Sequence, residues 1–430
     1  MNSVAQLVER RLLRVAVERC AESPVVLLEG PRTVGKSTLL RALAQQTGGE
    51  VLDLDDLDVR AAVSADPATM IDGPGPMLID EYQHVPIVLD AIKARLNRSS
   101  RPGQFVLTGS ARHESLPRAA QALTGRLDRL TVLPLSQAEL EGSPAPLLAQ
   151  LYDAPERAVP APASTTTRND YIDRIVRGGF PLALAAASPA GRSRWIDNYV
   201  RLSLERDVQA LARVRQAHAL PVVLERLAAQ TAQVLNGASL AAGLGIDDKT
   251  GRDYVRLLEA VFLVRLLPAW DRTLTPRTTA RPKTQPIDSG VAARLLRLTP
   301  EKLALRDPAA LTQFGHLLEG FVVGELLAQA SWTEGIATVG HWRTRDQTEV
   351  DLIIEADDGR VIAFEIKAAS RVAGDDFHGL RKLRDLLGAA FTAGTVLYTG
   401  SRSYTFDDRL HAMPIDRLWR TPAALESETS

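Results

Sequence analysis

Gly30-Pro31-Arg32-Thr33-Val34-Gly35-Lys36-Ser37 follows the apolar run Val25-Val26-Leu27-Leu28 and leads directly into Thr38-Leu39-Leu40-Arg41-Ala42-Leu43, a stretch of helical character. A glycine-bounded loop between a strand and a helix is the setting of a phosphate-binding P-loop. The glycines let the backbone curl so that successive N–H groups face a phosphate, and the following helix adds its positive N-terminal dipole. Gly30, Pro31, Arg32, Thr33, Val34, Gly35, Lys36, Ser37 and Thr38 are therefore the expected nucleotide-binding residues. Lys36 is expected to reach the β- and γ-phosphates and Ser37 to hold Mg²⁺, which makes ATP and Mg²⁺ the expected cofactors.

Outward from this loop, apolar runs recur at Val51-Leu52-Asp53-Leu54, Met77-Leu78-Ile79, Phe105-Val106-Leu107 and Leu130-Thr131-Val132-Leu133, with helical stretches between them. Strands alternating with helices predict an α/β fold with a parallel sheet covered on both faces and the ligand at the carboxyl ends of its strands. Ahead of the loop, Val4, Leu7, Val8, Leu12 and Val15 fall at helical spacing and predict a packing helix.

Met77-Leu78-Ile79-Asp80-Glu81 is an apolar strand closed by two carboxylates. Asp80 is the expected Mg²⁺ partner, acting through water, and Glu81 the base that polarises the attacking water. A base beside the metal ligand predicts hydrolysis and not binding alone. The next strand ends in Thr108-Gly109-Ser110, whose Ser110 hydroxyl is placed to sense the γ-phosphate; a satisfied turn serine is the competing reading. Leu123-Thr124-Gly125-Arg126 offers Arg126 as a cation for the transition state, in cis or towards a neighbouring subunit, so an oligomer is left open. Arg112 is read as a surface arginine.

These residues, with Leu133-Pro134-Leu135-Ser136, resemble an AAA-type family of bacterial and archaeal P-loop ATPases whose C-terminal domain has no assigned function. The resemblance covers most of the chain. It implies a five-stranded parallel ATPase core with Ser110 as sensor, and leaves the substrate open.

Residues 1–142 are thus read as the ATPase domain. Residues 143–169, rich in Pro, Ala and Thr without hydrophobic period, read as a linker. Residues 170–285 read as a helical, winged-helix-like domain. Within it, Ser239 to Ile246 and Asp247 to Val255 have the spacing of helix, turn and helix, with an Asp cap before the second helix. That second helix offers Asp248, Lys249, Arg252, Asp253 and Arg256, whose charges nearly cancel, so packing or protein contact is favoured over DNA reading. A second proline-bearing linker is expected from Thr273 to Pro286.

Residues 286–425 form the last unit, before a disordered tail at 426–430. Here Thr348 to Ile354 and Val361 to Lys367 predict a hairpin across Asp357-Asp358-Gly359. The pleat puts Glu365 and Lys367 on one face, where Asp351, and Glu319 from the preceding helix, converge with them. That is the layout of a restriction-endonuclease-like PD-(D/E)xK core, in which carboxylates bind Mg²⁺ and the lysine orients water. Fold and activity are separate claims, so a non-cutting, protein-binding domain stands beside a nuclease acting on DNA.

At 430 residues the chain exceeds what one core organises, and its formal net charge of −1 gives no bulk drive towards nucleic acid or anionic membrane. A single cysteine, Cys20, excludes a disulfide framework and a Cys-based zinc cluster. Charged residues interrupt every apolar stretch near the N-terminus, so no membrane segment is expected, and a cytoplasmic protein is.

Overall fold

The computed structural model describes residues 8–112, 123–143, 147–212, 214, 216–271 and 281–420. The tail at 426–430, the start of the N-terminal helix and most of the Thr273 to Pro286 stretch lie outside the described residues.

The first unit is a five-stranded parallel sheet of β1 (Val25–Glu29), β2 (Glu50–Asp53), β3 (Met77–Asp80), β4 (Phe105–Gly109) and β5 (Leu127–Thr131), in the order β2-β3-β4-β1-β5. Strand side chains alternate between faces, and both faces here are apolar. Val26 and Leu28 pack with helices Leu12–Glu22 and Lys36–Thr47, whereas Val25 and Leu27 pack with helix Val88–Arg98. The order inserts β4 between the P-loop strand β1 and the acidic strand β3. The end of β4 is therefore flanked by Lys36 on one side and Asp80 on the other.

The same apolar cluster that covers Val26 and Leu28 runs on into the middle helices, through Phe180, Ile196, Leu224, Leu240 and Leu258. This middle region carries helices Ala219–Ala229, Gly237–Ala241 and Asp248–Ala260, with a small sheet of β6 (Gln233–Val234), β7 (Val264–Leu267) and β8 (Lys283–Pro286) in the order β6-β8-β7. Asp247 caps the last helix by accepting from Thr250 N at 2.7 Å, as its sequence position predicts. Part of the second expected linker is thus a strand, and all four residues of β8 are buried.

The C-terminal sheet is mixed, in the order β13-β14-β12-β11-β10-β9. It comprises β9 (Ile336–Arg343), β10 (Glu349–Ala356), β11 (Val361–Lys367), β12 (Phe391–Tyr398), β13 (Tyr404–Asp407) and β14 (Leu410–Pro414). β10 and β11 form the expected antiparallel hairpin, and helix His378–Leu387 carries the chain across to a parallel β12. Helix Pro308–Ser331 packs on one face against Leu352, Ile354, Ile362 and Phe364.

The stretch 143–169 is not a free linker. Residues Leu147–Asp153 and Pro155–Ala158 are helical, and Leu147, Leu148, Leu151 and Tyr152 are buried in the C-terminal core. Leu148 N donates to Gln329 Oε1 at 3.0 Å and the Tyr152 hydroxyl to Ile354 O at 2.8 Å. Leucines spaced one and three apart outweigh the surrounding Pro and Ala composition once a partner core is available.

Candidate nucleotide site and a second acidic site

The P-loop is bent by residues in the left-handed region: Gly35 at φ 102° directly before helix Lys36–Thr47, and Thr33 at φ 58°. Gly30 is required by space, since a Cβ there would lie 2.3 Å from Val132 O. Ser37 and Thr38 occupy the first turn of the helix, where unpaired N–H groups and the dipole favour an anion. Lys36 is buried, and its Nζ donates to Gly30 O at 3.1 Å and Pro31 O at 2.9 Å. Burial lowers its pKa despite the attraction of Glu81 and Asp80.

Glu81 lies at φ 52°, a left-handed conformation costly for a residue with a Cβ. The turn swings its carboxylate away from the strand direction, to 3.9 Å from Lys36 Nζ. Ser110 Oγ donates to Glu81 Oε2 at 2.5 Å, and Gln83 Nε2 donates both to Glu81 and, at 3.0 Å, to Ser110 Oγ. Burial works to raise the Glu81 pKa, but Lys36 and the bonds from Ser110 and Gln83 outweigh it and hold the carboxyl below its usual value. Asp80, also buried, accepts from Thr108 Oγ1, which itself accepts from Glu81 N at 2.8 Å. Lys36, Asp80, Glu81 and Ser110 are thereby brought together, with Thr108 and Gln83, assigned no role from sequence, hydrogen-bonded into the cluster.

Oxygen donors suit Mg²⁺, and the Ser37 hydroxyl and Asp80 carboxylate are the chemically fitting pair. Arg126 is not drawn into this cluster; its Nη1 donates to Asn97 Oδ1 at 2.7 Å. Arg112 is no loose surface arginine. It stands 3.4 Å from Glu259, its N donates to Ala260 O at 2.8 Å, and its guanidinium lies 5.2 Å from the centre of the Phe262 ring. A second bond between the two regions joins Arg32 Nε of the P-loop to Asp207 Oδ1 at 2.7 Å.

In the C-terminal unit, Glu319, Asp351, Glu365 and Lys367 do share one locality. Lys367 Nζ is 2.8 Å from Glu365 Oε1, as expected for neighbours on one face. At the centre, however, is Lys283 from β8, with Nζ 2.7 Å from Glu319, 2.6 Å from Glu349 and 3.0 Å from Asp351. Burial and the neighbouring Asp351 charge raise the pKa of Glu319 and Glu365. Lys283 and Glu349 were invisible as partners in the sequence. An open cleft of about 430 Å³, lined also by Gln233, His316 and Arg343, leads to this cluster.

The parallel five-stranded sheet and its glycine-bounded loop form a P-loop-like core at the N-terminus, and residues 22–141 match the family described as AAA domain. Residues 168–302 and 314–418 match two further families, each described as a domain of unknown function (DUF8612 and DUF4143). The chain is 29% identical over 420 residues to the uncharacterized proteins Rv2008c of Mycobacterium tuberculosis and Mb2031c of Mycobacterium bovis, covering 96% of this chain and 86% of each relative. Among solved structures it is similar to the Walker-type ATPase PABY2304 of Pyrococcus abyssi, at 15% identity and TM-score 0.38, over 66% of this chain and 94% of that one. It is also similar to the Hsp104–ADP complex of S. cerevisiae, at 14% identity and TM-score 0.30, over 87% of this chain and 62% of that one. Likenesses this loose carry no function across. Among the described residues no helix is long and apolar enough to cross a membrane.

Proposed function

We propose that the chain binds and hydrolyses ATP with Mg²⁺, and that its nucleotide state is passed to the two distal units. The observation that carries this reading is Glu81, an ionised carboxylate beside Asp80 that is held by Ser110 and faces Lys36. Lys36 exchanges its loop carbonyls for phosphate oxygens, while the N–H groups of the loop and of the first helical turn cradle the phosphates. Glu81 orients water and takes its proton, and Ser110 ties that carboxylate to the end of β4. Ser37 and Asp80 would hold Mg²⁺, which when bound would supply neutralisation of phosphate charge.

The route outward is short. Arg112 lies two residues beyond Ser110 and grips the end of helix Asp248–Ala260, and Arg32 of the loop grips Asp207. Any ligand that moves Ser110 or Arg32 therefore shifts the balance between arrangements of the middle unit. Its order of helix, strand, helix, helix and two strands supports a winged-helix reading. Asp253 pairs with Arg256 at 3.2 Å along the exposed face, which favours protein contact over DNA.

The convergence of Glu319, Asp351, Glu365 and Lys367 favours a second reading, in which the C-terminal unit cuts DNA. ATPase and DNA-cleavage assays with and without DNA decide between them. Metal-dependent cleavage that disappears in Asp351→Ala and Lys367→Ala supports the nuclease; ATP turnover without cleavage or salt-dependent DNA binding supports a regulatory ATPase.

A further inference from the structure

Glu319, Glu349, Asp351 and Glu365 all belong to the C-terminal unit, on helix Pro308–Ser331, β10 and β11. The cation among them does not. Lys283 opens β8, which is hydrogen-bonded to β6 and β7 of the middle unit. Its side chain is 5% exposed, and its three N–H groups meet three carboxylates at 2.6–3.0 Å. Asp351 Oδ2 accepts from Ile366 N at 2.9 Å, and Glu365 Oε1 is taken by Lys367.

A divalent ion needs several oxygens converging at roughly 2.0–2.6 Å with their lone pairs free. The lone pairs that would converge here are directed at an ammonium group, and among the described residues no three His, Cys, Asp or Glu side chains are disposed to hold a metal. The carboxylates therefore do not fit a metal ion in this arrangement. Close-set carboxylates are neutralised by bound protons or by a cation, and the ammonium of Lys283 is the cation that three of them share.

We propose that Lys283 is a built-in counter-cation standing where a divalent metal ion would bind, so that the middle unit keeps the C-terminal acidic site closed to metal. Withdrawal of β8 exchanges the ammonium for the ion. The chain just after β7 and just before β8 is tied to β9: His341 Nε2 contacts Arg281 O at 3.1 Å, Trp270 N donates to His341 O at 2.6 Å, and His341 N donates to Pro268 O at 2.9 Å. A displacement of the β7–β8 edge relative to β9 is thus the movement that opens the site, a sliding of packed elements and not a local rotamer change.

The probe is Mn²⁺, with nucleotide-free full-length protein and free ion counted by electron paramagnetic resonance. Wild type is expected to show no tight site that depends on Asp351. Lys283→Ala, which removes the charge and empties the position, is expected to gain one site, at least about tenfold tighter than any in wild type because a competing positive charge 3.0 Å from Asp351 has gone. Adding Asp351→Asn should remove it. Lys283→Gln, which keeps an N–H donor for the carboxylates, serves where near-UV circular dichroism shows that the alanine variant does not fold. Two results overturn the proposal: an Asp351-dependent Mn²⁺ site in wild type as tight as in the variants, or a folded Lys283 variant that gains none.

Discussion

Glu325 gives the sharpest handle on how the N-terminal and C-terminal units are joined. It sits on helix Pro308–Ser331, 6% exposed, and its Oε2 accepts from Gln137 N at 2.8 Å. Burial pushes its carboxyl from 4.5 up to about 8, with Glu139 and Glu141 adding repulsion that Arg174 only partly offsets. In the unfolded chain the group titrates near its ordinary value, so between those two pH values the folded chain binds more protons. Stability must then fall as pH rises through that window and level off above it. A shift of this size corresponds to at most about 5 kcal/mol at 1.36 kcal/mol per unit. Glu325→Gln keeps an acceptor for Gln137 N and removes the charge. The variant should melt close to wild type at pH 5 and several degrees higher at pH 9, with the gap opening between. Melting curves at half-unit steps of pH check this. A difference that does not change with pH, or one that closes as pH rises, would refute a buried carboxyl titrating at this joint.

Lys36→Ala should abolish nucleotide binding, read by fluorescence of a labelled ATP analogue, because Lys36 Nζ lies on the loop carbonyls of Gly30 and Pro31, whereas Arg10, a further largely buried cation at the loop, is committed to Val34 O, Leu133 O and Glu139. Gly30→Ala should cost about 2 kcal/mol or more in chemical denaturation, since its Cβ would overlap Val132 O at 2.3 Å and backbone cannot give way cheaply. Glu259→Ala should leave ATP affinity nearly unchanged while reducing nucleotide-dependent changes in proteolysis or hydrogen exchange of helix Asp248–Ala260, with a remainder carried by the Arg112 N bond to Ala260 O and the Arg32–Asp207 pair. Equal nucleotide responses in variant and wild type would rule out the Arg112–Glu259 ion pair as part of the route.

Much of the cluster proposed as the nucleotide site was legible because it is local. The loop, Asp80 and Glu81 are read from neighbouring residues, and Ser110 follows because β4 must lie beside β3. Gln83 was missed because its role depends on Glu81 adopting a left-handed turn, which no pattern announces. Arg112 looked like surface because its partner, Glu259, is 147 residues away. The same limit hid Lys283: it bonds to Asp351 across 68 residues, from a strand that reads as a proline-bearing linker. The 143–169 stretch failed for a different reason. Its composition resembled a linker, yet Leu147, Leu148 and Leu151 already carried a helical face, and the apolar spacing was the better guide.

Glu81 is the residue that would make the P-loop module hydrolytic. Glu81→Gln keeps the side chain's size and its bond from Ser110 while removing the base, so ATP affinity should stay within a few-fold of wild type. Turnover should drop by about 10²–10⁴. The direct measurement is phosphate release by wild type and Glu81→Gln at saturating MgATP, beside their ATP affinities. Retained binding with lost turnover is the predicted result; hydrolysis by Glu81→Gln at the wild-type rate would contradict the account.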